Sequence, residues 1–209
     1  LSIFLQVSFD TFSSSLNKGR FALILNIRSF LFISISTLNK GQKVWLKGTN
    51  RNGINTNNYI STNYIKFTIS DSVSLSGNLM TLIDGDNPPL EIPGNTSNNY
   101  CFGKLFQHIS TYNNQYCKVI SAKDLQLPAT LLKEGCYENL FLNNTYLQEA
   151  PADLSSAENV PANAYNGMFE GCSSLISAPL MPQVDTISTN GFEAMFKGCS
   201  SLQVAPTLP

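Results

Sequence analysis

Met168-Phe-Glu-Gly-Cys-Ser-Ser-Leu-Ile-Ser-Ala-Pro179 returns, nearly letter for letter, as Met195-Phe-Lys-Gly-Cys-Ser-Ser-Leu-Gln-Val-Ala-Pro206, 27 residues further on. A fixed period of this size marks a chain built by stacking one small unit on itself. The repeat reaches back beyond these two copies. Ala122, Ala150, Ala178 and Ala205 stand 28, 28 and 27 residues apart, and three residues before each sits Val119, Leu147, Leu175 or Leu202. Six residues before the last three of these come Phe141, Phe169 and Phe196, each preceded at four residues by Tyr137, Tyr165 or Phe192. Phe102 and Phe106 give the earliest copy the same pair, followed by a polar insertion within residues 107–118.

An aromatic pair at i and i+4 predicts one face of a helix. Leu105, Leu140, Met168 and Met195 widen that face, and Gly171 or Gly198 follows as a left-handed cap. The Leu-x-x-Ala segment that comes next suits a brief strand, ended by Pro151, Pro179 or Pro206. One short strand and one helix per turn is leucine-rich-repeat geometry. The expected fold is therefore α+β: a small antiparallel β-rich domain over residues 1–90, with residues 1–42 left open, and then a leucine-rich-repeat solenoid over 91–209. That solenoid would hold about four repeats and be truncated, since ending there exposes the apolar face of its last coil.

Gly198-Cys-Ser-Ser-Leu-Gln-Val-Ala-Pro-Thr-Leu-Pro209, preceded by Met195-Phe196, resembles the BspA-like leucine-rich repeats of bacterial cell-surface proteins. Leu127-Pro-Ala-Thr-Leu-Leu-Lys-Glu-Gly-Cys-Tyr137 resembles the helix-entry phrase of that family. The likeness covers about residues 100–209 and is most specific in the last two copies. Leu38-Asn-Lys-Gly-Gln-Lys-Val-Trp-Leu-Lys-Gly48 and Val73-Ser-Leu-Ser-Gly-Asn-Leu-Met80 are similar to the β-rich segment that often precedes such repeats. The resemblance implies secretion or surface display, adhesion to a host protein or glycan, and no enzymatic activity.

Charged residues make up only 13% of the 209-residue chain and the net charge is −1. That gives no electrostatic case for nucleic acid or for an anionic membrane. Residues 43–83 alternate apolar and polar side chains in short runs, as at Ile65, Phe67 and Ile69, so antiparallel strands are expected there. Leu16-Asn-Lys-Gly19 and Leu38-Asn-Lys-Gly41 repeat one turn phrase, and residues 84–99 read as a linker. Residues 21–35 are apolar but interrupted by Asn26, Arg28 and Ser29. Buried strands, an interrupted membrane or signal segment, and misread sequence upstream of the domain all stay open for that run.

Chemistry-bearing residues are few. Five cysteines are an odd number for a closed disulfide framework. Cys172 and Cys199 are expected as small buried hydrophobes stacked in a column. Cys101 and Cys136 would be held too far apart to bridge by the spacing of packed helices. No Cys/His cluster has zinc-ligand spacing. The single histidine, His108, lies in the polar insertion without a nucleophile signature. Asp84-Gly-Asp-Asn87 lacks the further ligands of a calcium loop. Asn95-Thr-Ser97 and Asn143-Asn-Thr145 match the glycosylation pattern, which carries no meaning in a bacterial chain.

The repeat core is expected at Phe102, Phe106, Val119, Tyr137, Phe141, Leu147, Tyr165, Phe169, Cys172, Leu175, Phe192, Phe196, Cys199 and Leu202. Tyr59, Tyr64, Tyr112 and Tyr116, in Asn/Tyr-rich stretches, are the candidate partner contacts. The functional expectation is a non-enzymatic, secreted or surface-exposed bacterial protein that binds a protein or glycan on host or neighbouring cells. It needs no cofactor or metal, and would meet a membrane only through an anchor not evident in this sequence. The alternative is a structural spacer that displays other domains on the cell envelope.

Overall fold

The computed structural model describes residues 5–9, 43–48, 53–54, 66–93, 100–109, 116–154, 156–207 and 209. Residues 21–35, the two Leu-Asn-Lys-Gly phrases and Asn95-Thr-Ser97 lie outside them. Four strands form one sheet: β1 (Leu5–Phe9), β2 (Lys43–Leu46), β3 (Ile69–Asn78) and β4 (Cys117–Gln126), in the order β2-β1-β3-β4. Alternation builds β3 and β4. Val73 and Leu75 of β3 and Cys117 and Val119 of β4 are buried to 1% exposure or less, and the residues between them face outward. A short 3-10 turn, Leu79–Leu82, follows β3; Asn78 caps it by accepting the Met80 N–H at 2.8 Å.

Two expectations fail here. The first concerns strand direction. β1 runs antiparallel to β2 and β3, but β3 and β4 run parallel, with Val73 opposite Val119 and Ser74 opposite Ser121. The N-terminal strands are thus part of a mixed sheet, not a separate antiparallel one. From β4 the pairing continues as single parallel bridges, Ser121 to Glu149 to Ser177 to Val204. Each sits one residue before the alanine ruler of the sequence. The brief strand predicted at residues 119–122 lies within β4, whereas the Leu-x-x-Ala segments of the three later coils are each bridged at a single residue.

The second failure is the helices. None of the described residues is α-helical. The segments holding Phe102/Phe106, Tyr137/Phe141, Tyr165/Phe169 and Phe192/Phe196 are instead ribbons of consecutive turns. In them a residue with positive φ recurs every fourth position: Gly135, Asn139, Asn143; then Asn163, Gly167, Gly171; then Asn190, Ala194, Gly198. Each such residue breaks an α-helix, which needs right-handed dihedrals throughout.

Backbone hydrogen bonds show what replaces it. Alternate N–H groups bond within the coil to the carbonyl three residues back, as from Glu138 to Gly135 and Leu140 to Tyr137. The others reach the neighbouring coil: Tyr137 to Ala164, Asn139 to Asn166, Phe141 to Met168, then Tyr165 to Gly191, Gly167 to Glu193 and Phe169 to Met195, all at 2.8–3.0 Å. Packed helices sit about 8–10 Å apart and paired strands about 4.8 Å. The turn ribbon lets both sides of a coil keep the closer spacing, so successive coils hydrogen-bond on each side. The α+β, helix-plus-strand leucine-rich-repeat architecture is therefore replaced by hydrogen-bonded coils of turns and isolated bridges.

Direct contact between ribbons stacks the aromatic pairs in two columns. Phe102, Tyr137, Tyr165 and Phe192 form one, with centroids 5.3–5.8 Å apart. Phe67, Phe106, Phe141, Phe169 and Phe196 form the other, at 5.0–5.7 Å. Interplanar angles are 23° or less, the range of offset stacking, and each pair adds about 0.5–1.5 kcal/mol beyond the burial of its area. The buried core is one continuous cluster from Leu46 to Met195.

Candidate functional site

Most of the repeat-core residues serve packing. Val119, Leu147, Leu175 and Leu202 each stand two residues before a bridged residue, in equivalent places of adjoining coils. The first three are fully buried and Leu202 is half-buried on the last coil. Cys172 donates its thiol to the Phe141 carbonyl at 3.2 Å, and Cys199 does the same to Phe169 at 3.1 Å.

All five thiols are free. The reason offered from sequence for Cys101 and Cys136, helix spacing, disappears with the helices; both are buried beside one another without a bond. Burial pushes the Cys101 thiol up to about 12 and Cys199 to about 11, and drives Cys117, Cys136 and Cys172 higher still. These groups stay protonated, which suits filler rather than nucleophiles.

Polar and aromatic groups gather elsewhere, where the first ribbon meets the start of β4. His108 ends that ribbon and is 7% exposed. Its backbone N–H bonds to Leu142 of the next coil at 2.9 Å, and its Nδ1 accepts the Cys117 N–H at 3.2 Å. Burial lowers the imidazole pKa; the Cys117 backbone opposes this and the Lys118 charge adds to it. The His108 ring lies 5.9 Å from Tyr116 and 5.4 Å from Tyr146. Alternation along β4 turns Lys118 away from the core, and its Nζ stands 5.6 Å from the Tyr116 centroid and 5.5 Å from that of Tyr146. Each such contact contributes about 0.5–1 kcal/mol at an accessible site.

The result is a surface cluster of two tyrosines, a cation and an imidazole, with Tyr146 39% exposed. Of the four tyrosines singled out from sequence, Tyr116 joins it; Tyr59, Tyr64 and Tyr112 lie outside the described residues. Sequence reading missed Tyr146 and Lys118, and assigned His108 to a loop. A signal for Tyr146 existed: it occupies the slot of Ser174 and Ser201 in the later copies.

An open groove of about 470 Å³ lies further along the same strand, between Lys123, Asp124, Gln126 and Pro128 on one side and Ala152, Asp153 and Ser156 on the other. The Lys123–Asp124 pair on its rim, 3.1 Å apart, is exposed and adds little stability. Among the described residues no group of three or more His, Cys, Asp or Glu is placed to hold a metal ion, and no helix is long and apolar enough to cross a membrane. Asp84, in the stretch that lacks the further ligands of a calcium loop, accepts the N–H groups of Asp86 and Asn87 at 3.1 Å, as in an ordinary turn. No protein-family model, curated protein or solved structure matches the chain.

Proposed function

We propose that this chain is a non-enzymatic binding module, secreted or held at a bacterial cell surface, that engages a protein or glycan ligand. The observation carrying this reading is the cluster of Tyr116, Tyr146, His108 and Lys118: stackable rings beside a charged donor on one coil edge. Tyrosine offers large contact area at small ordering entropy, and a ring with an adjacent donor suits a sugar or an aromatic side chain. Few charges and many Asn and Ser residues support an extracellular setting.

The test is an array of host-type glycans and extracellular-matrix proteins, probed with the whole chain and with Tyr146→Ala and Lys118→Ala. Saturable binding lost in both variants, with circular dichroism unchanged, is the expected result. Binding that survives both substitutions removes this site from the reading. A spacer role is favoured by the hydrogen bonds that link every coil to the next. The absence of any array signal above background, together with an extended solution shape, would select it instead.

A further inference from the structure

Lys123, Lys133 and Lys197 each meet a carboxylate, Asp124, Glu91 and Glu170, at 2.6–3.1 Å. Lys118 departs from that pattern. No carboxylate of the described residues pairs with it; its Nζ lies instead against two rings, 5.6 Å from the Tyr116 centroid and 5.5 Å from that of Tyr146. Ring faces attract the charge but do not take up its N–H donors as carboxylate oxygens do.

His108 brings a second donor to the same place. A neutral imidazole that accepts at Nδ1, here from the Cys117 N–H at 3.2 Å, carries its proton on Nε2. That Nε2 meets no acceptor among the described residues. Nor is it one of their fully buried unpartnered polar atoms, which are the Tyr137 hydroxyl and the Asn144 amide oxygen, so solvent reaches it. After burial, the Lys118 charge is a further cause of the lowered imidazole pKa, so the field of the cation reaches the ring. A charged donor and a neutral donor thus converge beside two tyrosine rings, one of them 39% exposed.

We propose that this cluster takes an anionic saccharide, a sugar ring bearing a carboxylate of the uronic-acid kind. The inference rests on the binding role proposed above and narrows its ligand. The carboxylate meets the Lys118 ammonium and the His108 Nε2–H, while the C–H face of the sugar packs on Tyr146 and Tyr116. Hydrogen bonds between ionised partners are about twice as strong as neutral ones, so the charge supplies the selectivity and the rings the contact area. A neutral sugar would leave the Lys118 charge without its counterpart. An acidic peptide fits less well: one lysine offers little to a run of carboxylates, and the whole chain carries a net charge of −1.

The test titrates the whole chain with a tetrasaccharide containing uronic acid and with the same tetrasaccharide after its carboxylates are reduced to alcohols. His108 is the only histidine, so its imidazole resonances in a nuclear magnetic resonance spectrum report binding at this place alone. The acid form should bind saturably, move those resonances, and bind about tenfold or more tightly than the reduced form. Lys118→Gln, on the outward side of β4, keeps a neutral donor and should bring the two forms to within about twofold of each other. Equal binding of both forms by the unaltered chain overturns the inference and leaves the wider glycan reading standing. Acid-form binding that neither Lys118→Gln nor Tyr146→Ala weakens overturns the inference and removes the site from that reading too. No binding of either form up to about 10 mM overturns the inference, while a protein hit on the array keeps the wider reading. A tetraglutamate peptide that binds as tightly as the acid tetrasaccharide would assign the cluster to acidic peptides and overturn it as well.

Discussion

Asn144 and Cys172, 28 residues apart, fill the same slot in adjoining coils, and each donates to the carbonyl of the phenylalanine one coil earlier: Phe106 at 3.5 Å and Phe141 at 3.2 Å. The slot wants one donor and little else. Asn144 brings an amide oxygen too, which is fully buried and meets no donor among the described residues. Asn144→Cys keeps the donor and deletes the orphan. Urea denaturation should show this variant more stable by about 1–2 kcal/mol, the usual penalty of an unmet buried polar atom. A loss of stability would show that the oxygen is satisfied.

The turn ribbons make a matched pair of predictions. Ala194 alone among the nine left-handed positions of the last three ribbons is neither Gly nor Asn, and its φ of 53° carries the Cβ strain of that region. Ala194→Gly should raise stability by about 1 kcal/mol. Gly171→Ala should lower it by more than that, because its φ is 75° and a Cβ would run into the Asn143 side chain. Equal effects at the two sites would contradict the ribbon.

Phe141 sits mid-column, between Phe106 at 5.4 Å and Phe169 at 5.7 Å. Phe141→Ala should cost about 3–5 kcal/mol in chemical denaturation. Phe196→Ala, with one ring neighbour and partial exposure, should cost clearly less. The two values converge only if the columns do not form.

Thiol chemistry offers a check on burial. A group titrating near 11 is ionised in about one molecule in a thousand at pH 8, so the folded chain should react slowly with an aromatic disulfide reagent. Cys199, the only half-buried thiol, should react first, and all five should react at once in denaturant. Rapid reaction of Cys101 or Cys136 in the folded chain would refute the buried assignment.

His108 gives the chain a pH dependence of defined sign. Its folded pKa lies below the ordinary 6.5 because burial disfavours the imidazolium, so the unfolded state binds the proton more readily. The neutral ring's contribution is complete above that value and declines as pH falls below it. Denaturation midpoints should drop between about pH 7 and pH 5.5, and His108→Gln should flatten that slope.

Sequence carried the period of this fold far better than its local conformation. The alanine ruler gives the offsets of the bridges, because like residues must meet when coils lie in register. The helix assignment failed at Tyr137/Phe141 and its equivalents, since a four-residue spacing of rings suits both an α-helix and a ribbon of four-residue turns. Asn139, Asn143, Asn163 and Asn190, together with Gly135, Gly167, Gly171 and Gly198, carried the deciding signal. They place residues tolerant of positive φ at every fourth position, and reading Gly171 and Gly198 only as helix caps concealed it. The surface cluster was less legible: His108 and Tyr146 belong to different coils, and only folding brings them together.

The bonds joining one coil to the next lie along the direction in which the coils pile up. A pull between the two ends would therefore load them one row at a time, like the teeth of a zip, instead of shearing many together. Such a chain should yield in steps, each releasing one coil of about 27 residues, or roughly 90 Å of extended polypeptide, and should re-form by rewinding from the part still closed.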